Sequence, residues 1–199
     1  MVVLAVLAVL CSACSPGPPP TGPPPQIPTI LPPTTITWVP QMVDRELPTD
    51  CALIVPTDVL GTHLGQELPG ALQQVVGIPE PSIGRTAKID CYYGVADGRG
   101  IATAPVVIGL ATYADEPTAA GRVTDSVDAE RREGATAAQV DVGRHKASLV
   151  TTRDERLLIG SLGKTTFVAR AKAGVVPDDR VGAFLTAVAQ QSMTPLEED

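Results

Sequence analysis

Proline and charge are spread so unevenly that they divide this chain before any secondary structure is considered. Eleven of the 20 prolines fall between Pro16 and Pro40, and no charged residue occurs before Asp44. Proline fixes φ and removes a backbone donor, so this stretch can join neither a helix nor the interior of a sheet. It reads as semi-rigid polyproline II, rising ~3.1 Å per residue and reaching up to ~80 Å when fully extended. Residues 50–195 then remain, enough for one ordinary hydrophobic core and not for two. Three tether threonines beside prolines, Thr34, Thr35 and Thr37, are candidate acceptors for O-linked sugars, and Trp38 is expected to pack back onto the folded part.

The formal net charge of −7 therefore belongs to the folded part alone. An acidic surface repels phosphate backbones and anionic headgroups, which argues against a nucleic-acid partner. Aromatic residues are only 3% of the chain, so the core must be built mainly from Val, Leu, Ile and Ala. Eleven of the 15 basic residues are Arg, a bias that points to a GC-rich genome.

Met1 to Leu10 reads MVVLAVLAVL and leads into Cys11-Ser12-Ala13-Cys14. An apolar run this short matches a signal-peptide core of ~7–15 residues and falls below the ~18–20 needed to span a bilayer. It lacks the Lys or Arg that opens such a peptide, so the true start is expected upstream. Ser12 and Ala13 before Cys14 resemble a bacterial lipobox, with Cys11 where Leu is usual. The resemblance implies that the Cys14 thiol receives a diacylglycerol and that two or three acyl chains hold the protein on the extracytoplasmic face of the membrane. At ~0.8 kcal/mol per buried methylene, several chains anchor far more durably than one. The competing reading is an ordinary secretory leader cut near Ala13. The organisation expected is thus leader 1–14, proline-rich tether 15–49, one domain 50–195 and an acidic tail 196–199.

Cys51 and Cys91 are the thiols left beyond the leader, and an even pair in an exported domain reads as a disulfide. Closing a loop of about 40 residues is worth ~4 kcal/mol in the chain-entropy model. A redox pair normally sits as C-x-x-C, and a metal site needs more ligands than His63 and His145 supply. Pro56-Thr57-Asp58 opens a helix, with Thr57 or Asp58 as its cap and Gly65 ending it. Leu68 to Val76 reads as a second short helix. Ala87 to Ala96 and Ile101 to Ala114 read as strands joined through Asp97-Gly98-Arg99-Gly100. Pro117 starts a helix that Gly134 ends, with Ala119, Val123 and Val127 on its apolar side. Four strands follow, over Ala138 to Val142, Lys146 to Thr152, Arg156 to Ser161 and Thr165 to Ala171. Pro177-Asp178-Asp179 then caps a helix carrying Val181, Phe184, Leu185 and Val188. The order α-β-β-α-β-β-β-β-α predicts an α+β fold, an antiparallel sheet covered by helices on one side.

Asp50-Cys51-Ala52-Leu53 and Cys91-Tyr92-Tyr93 resemble the signatures of a family of uncharacterised actinobacterial, mycobacterial-type lipoproteins. Members open the domain with D-x-C-x-L, which this chain shortens by one residue, and place the second cysteine in a C-x-[WY] strand. The resemblance would cover 50–192 and implies an envelope lipoprotein with a structural disulfide, with no catalytic residues to carry over. The order of elements also resembles the PsbP-like sandwich of some mycobacterial lipoproteins, which implies a binding module.

The search for chemistry nominates no catalytic residue, metal ligand or cofactor. Ile159-Gly160-Ser161-Leu162-Gly163 lacks the first glycine of a nucleophile elbow and lies between strands, so it reads as a hairpin end. Asp178-Asp179 is explained by a helix N-terminus, and there is no phosphate loop or dinucleotide fingerprint. The function expected is therefore non-catalytic: an envelope-anchored binding or adaptor domain for a lipid, glycan or protein. An envelope hydrolase with a site assembled from scattered residues and an extracytoplasmic sensor domain are the alternatives. A pocket decides between binding and catalysis, according to whether His145 meets a serine and a carboxylate there.

Overall fold

A computed structural model of the chain describes Gly17, Gly22 and residues 41–196. Cys14, most of the tether and the residues 197–199 of the tail lie outside the described residues. Three helices and seven strands follow one another in the order α1 (Thr57–Leu64), β1 (Ala71–Gly77), β2 (Arg85–Val95), β3 (Val106–Tyr113), α2 (Glu116–Arg132), β4 (Thr136–Val142), β5 (His145–Thr151), β6 (Glu155–Leu162), β7 (Thr165–Lys172) and α3 (Asp178–Ser192). All seven strands form one antiparallel sheet in the order β1-β2-β3-β7-β6-β5-β4. Two meanders, β1 to β3 and β4 to β7, thus meet at the β3–β7 pair, with α2 carrying the chain from one to the other. The fold is α+β with an antiparallel sheet packed by helices, as the sequence predicts. Among the described residues no helix is long and apolar enough to cross a membrane.

Two features depart from expectation. Residues 68–76 do not form a helix: Ala71–Gly77 is an edge strand paired with β2, giving one strand more than the pattern predicts. Val75 and Val76 are β-branched, and pairing with β2 supplies the backbone partners that a lone short helix would lack. Second, helices cover both faces of the sheet. On one face, Ile89, Ile108, Leu110, Leu158, Phe167 and Ala169 meet Val181, Phe184, Leu185 and Val188 of α3 and Leu60 and Leu64 of α1. On the other, Val150, Leu157 and Ile159 pack against Val127 of α2, and Ala111 and Tyr113 against Ala119. The consecutive buried residues Leu157, Leu158 and Ile159 fit a strand covered on both sides.

Smaller differences concern the helix starts. Neither Thr57 nor Asp58 caps α1, and Asp178 and Asp179 lie inside α3; prolines hold both N-cap positions without a side-chain bond. The acidic residues there act on the positive end of the helix dipole instead. Gly65 does end α1, at a left-handed φ of 77°. The strand expected from Ile101 begins at Val106, after a 3-10 turn over Ile101–Thr103.

Residues 41–49, read as the end of the tether, lie against the domain. Met42 is buried, the Val43 amide donates to the Met193 carbonyl at 3.0 Å, and Arg45 donates to the Thr194 carbonyl at 3.2 Å. Asp44 accepts from Thr165 Oγ1 at 2.9 Å and from the Lys164 amide at 3.2 Å, over the β6–β7 turn.

Candidate functional site

The cysteines the sequence pairs are joined: Cys51 and Cys91 form a disulfide with Cα atoms 5.6 Å apart. Cys91 lies on β2, facing the α1–α3 side, and two residues on Tyr93 points the same way. Its phenol donates to the Val55 carbonyl at 2.7 Å in the core. Burial, then the nearby Asp50 charge, raises the Tyr93 pKa well above its ordinary 10.0. Gln74 of β1 adds a third tie, accepting from the Cys51 amide at 3.1 Å and donating to the Thr49 carbonyl at 2.9 Å. The cysteine and the aromatic of the C-x-[WY] strand thus fasten one segment, 49–55, to the sheet. This is a structural device with no reactive group exposed.

The other sequence candidates stay apart. His63 lies in the last turn of α1, and His145 begins β5 in the row of Ala147 and Leu149, on the α1–α3 face. Ser161 shares a row with Leu157 and Ile159 on the α2 face. The sheet therefore stands between Ser161 and both histidines, and they cannot form a nucleophile–base pair. Ser161 is also the penultimate residue of β6, just before the Gly163 turn, as the hairpin reading expects.

What converges instead is a groove on the α2 face that sequence reasoning missed. Strand pairing sets three rows across β2, β3 and β7: Lys88–Ala111–Thr166, Asp90–Gly109–Val168 and Tyr92–Val107–Arg170. The rows form a floor, and Arg122, Val123 and Ser126 of α2 form a wall; the cavity between them measures about 170 Å³. Arg85 closes one end through a backbone irregularity. The β2–β3 register shifts between Arg85 and Ala87, pairing Arg85 with Tyr113 and turning its side chain onto the groove face. Bulges re-aim side chains in this way. The bare Gly109 leaves room for its neighbour: a Cβ there would come within 2.6 Å of Asp90 Oδ1 and displace that carboxylate.

The groove reverses the charge balance of the chain. Arg85, Lys88, Arg122 and Arg170 line it, and Asp90 is the one carboxylate that does so. Asp90 is engaged by Lys88 at 2.7 Å. Two further carboxylates approach from outside: Asp125 accepts from Arg122 Nη1 at 3.1 Å, and Glu155 lies 3.6 Å from Arg170 Nε. Arg85 Nη2 reaches the Ile78 carbonyl at a long 3.5 Å. The Nε atoms of Arg85 and Arg122 are buried without a hydrogen-bond partner among the described residues. A second hollow of about 190 Å³ adjoins it, sharing Val107 and Arg170 and lined also by Tyr92, Ile101, Ala104 and Pro105, with Lys172 and Glu155 at its rim. Neither histidine lines either part, nor does Ser161. Among the described residues no cluster of three or more His, Cys, Asp or Glu could hold a metal ion.

The basic residues of the groove are distant in sequence, from Arg85 to Arg170. The available signals were slight: Lys88 and Asp90 alternating on an otherwise apolar strand, and Arg170 closing the row of Thr166 and Val168.

No protein-family model matches the chain, and no curated protein matches it. Among solved structures it is similar to the extracellular domain of PknH from Mycobacterium tuberculosis, at 11% identity. The match covers 71% of this chain and 93% of that one, with a TM-score of 0.44.

Proposed function

We propose that this chain is an exported lipoprotein, held in the cell envelope by a lipid on Cys14, whose domain binds a ligand in the α2 groove without transforming it. The observation that carries the reading is the groove itself. Binding sites combine an apolar floor with a few convergent polar groups, and Val107, Gly109, Ala111 and Val168 under Arg85, Arg122 and Arg170 have that composition. The disulfide supports export, because such bonds persist in oxidising compartments. The lipobox-like Ser12-Ala13-Cys14 and the apolar run before it supply the address.

Native mass spectrometry of the full chain purified from its own host tests the binding role: a retained small molecule is expected. Esterase, glycosidase or peptidase turnover that disappears on changing Ser161, His63 or His145 would overturn it. For the anchor, Cys14→Ser should release the protein from membranes or stall its processing. Release by Cys11→Ser alone would show the lipid to be on the other thiol.

A further inference from the structure

We infer that the ligand of this groove is a small anionic amphiphile: a phosphate-type oxyanion gripped by Arg85 and Arg122, with a short apolar body lying over Val107 toward Tyr92 and Ile101. This rests on the binding role proposed above and names the chemical class of what is bound.

The first argument is donor excess. A guanidinium carries five N–H donors and stays protonated throughout the biological pH range. Burying part of it without a partner is costly, and buried polar groups are as a rule satisfied. Yet Arg85 and Arg122 each keep a buried, unpartnered Nε here. Asp90 cannot serve both, since Lys88 holds it at 2.7 Å and it folds across Gly109. Asp125 meets only the outer nitrogen of Arg122, and its own side chain is 66% exposed. With the Nε atoms shut in, these guanidinium groups can gain acceptors only at their outer nitrogens, and an oxyanion in the groove supplies them there, because its oxygens match the guanidinium fork.

The second argument is placement. Arg85 reaches the groove face only through the irregularity at the start of β2; unbroken alternation with Ala87 and Ile89 would turn it into the α3 core. The irregularity thus adds a charge where the α2 wall already supplies one. Lys88, Arg122 and Arg170 each face a carboxylate, so Arg85 is the cation that leaves the hollow net positive on a chain of net charge −7, and an anion is drawn there and repelled elsewhere.

Size settles the rest. Drug-sized ligands occupy pockets of ~300–1,000 Å³. The basic hollow, at about 170 Å³, holds a head group and little more. The adjoining hollow of about 190 Å³ shares Val107 and Arg170 with it and is walled by Tyr92, Ile101, Ala104 and Pro105. A single short apolar body passing over Val107 fits that hollow, whereas two long acyl chains do not.

Isothermal calorimetry on the full chain, with its disulfide formed, separates the alternatives. The probes are inorganic phosphate, hexyl phosphate, hexanol and dihexanoyl phosphatidic acid below its micellar concentration. Hexyl phosphate is expected to bind at least ~10-fold tighter than inorganic phosphate, because its methylenes leave water. Hexanol should not bind. Arg85→Gln and Arg122→Gln should each weaken hexyl phosphate by ~10-fold or more. Arg170→Gln changes a side chain 44% exposed and so leaves folding intact; it should weaken binding several-fold. Arg99→Gln, outside the groove, should change nothing. Dihexanoyl phosphatidic acid binding as tightly as hexyl phosphate identifies a lipid headgroup as the source; binding of hexyl phosphate alone identifies a free ester. Hexanol binding as well as hexyl phosphate would overturn the inference, and so would full affinity in all three groove variants. A neutral molecule retained in the native spectrum would refute the ligand class while leaving the binding role standing. Turnover lost with Ser161 or a histidine would refute the binding role itself.

Discussion

Replacing Tyr93 by Phe removes one oxygen from the core and leaves its ring in place. The phenol donates to the Val55 carbonyl at 2.7 Å, across 38 residues of sequence and in a fully buried setting. Taking a donor from a buried acceptor costs ~1–3 kcal/mol. Because Phe conserves the packing of the ring, a loss of ~1.5 kcal/mol is expected, about a tenfold shift in the folding equilibrium. The disulfide fastens the same segment and is worth ~4 kcal/mol for its 40-residue separation. The two ties share one object, so their losses should not add. Urea unfolding of Tyr93→Phe, oxidised and reduced, reads this out: the cost of the substitution should fall once the bridge is reduced, because 49–55 is then free to lift away. The m-value of the oxidised forms should be unchanged. Alkaline pH supplies an independent arm. The folded pKa is raised above 10.0, so the unfolded chain ionises first; the contribution is full below pH 10 and declines as pH rises beyond it. The gap between wild type and Tyr93→Phe should therefore narrow above pH 10. Equal stability of the two oxidised proteins within ~0.3 kcal/mol would refute the reasoning, as would a cost identical with and without the bridge.

Three further sites, Gly160, the Gly163–Asp44 contact and Asp115, probe other parts of the molecule. Gly160→Ala places a methyl against the buried Phe167 ring and Ala147, so thermal unfolding should report a loss of ~1–3 kcal/mol from overpacking. Gly163→Ala is strained by its φ of 55° and also collides with the Asp44 carboxylate; it should cost ~1 kcal/mol or more, and Asp44→Ala in the same chain should recover part of that. Asp115 caps α2 through the Thr118 amide at 2.8 Å, and hydrogen bonds from Thr118, side chain first and backbone second, lower its pKa. Its stabilisation is present above the unfolded carboxyl pKa and lost as pH falls through the folded value. Asp115→Ala should thus be less stable than wild type at neutral pH and converge on it in acid, as circular dichroism melts would show.

Much of the fold was legible because its signals are local. The helix from Pro117, the glycine turns between β4 and β7 and the apolar side of α3 need only neighbouring residues to be read. Leu68 to Val76 was misread because leucine at 68 and 72 and valine at 76 also fit a helical face. What decides the matter is pairing with β2, which short-range pattern does not contain. The covering of both sheet faces was visible in Leu157-Leu158-Ile159, where alternation fails. The groove was hidden for a different reason: its cations come from two strands, β2 and β7, and from α2, brought together across β3 and by one shifted register at Arg85. No window of sequence holds both Arg85 and Arg170.

The strap at 41–49 gives the chain a reserve of length. Met42, Asp44 and Arg45 are held only by side-chain packing and hydrogen bonds, whereas Cys51 is bonded covalently to β2. Tension arriving from upstream meets the noncovalent ties first, and peeling them pays out up to ~30 Å of extended chain. It then stops at the sulfur bridge, beyond which the sheet itself would have to be pulled apart. A pull on the strap would thus release its noncovalent ties before it loads the disulfide-closed part of the fold.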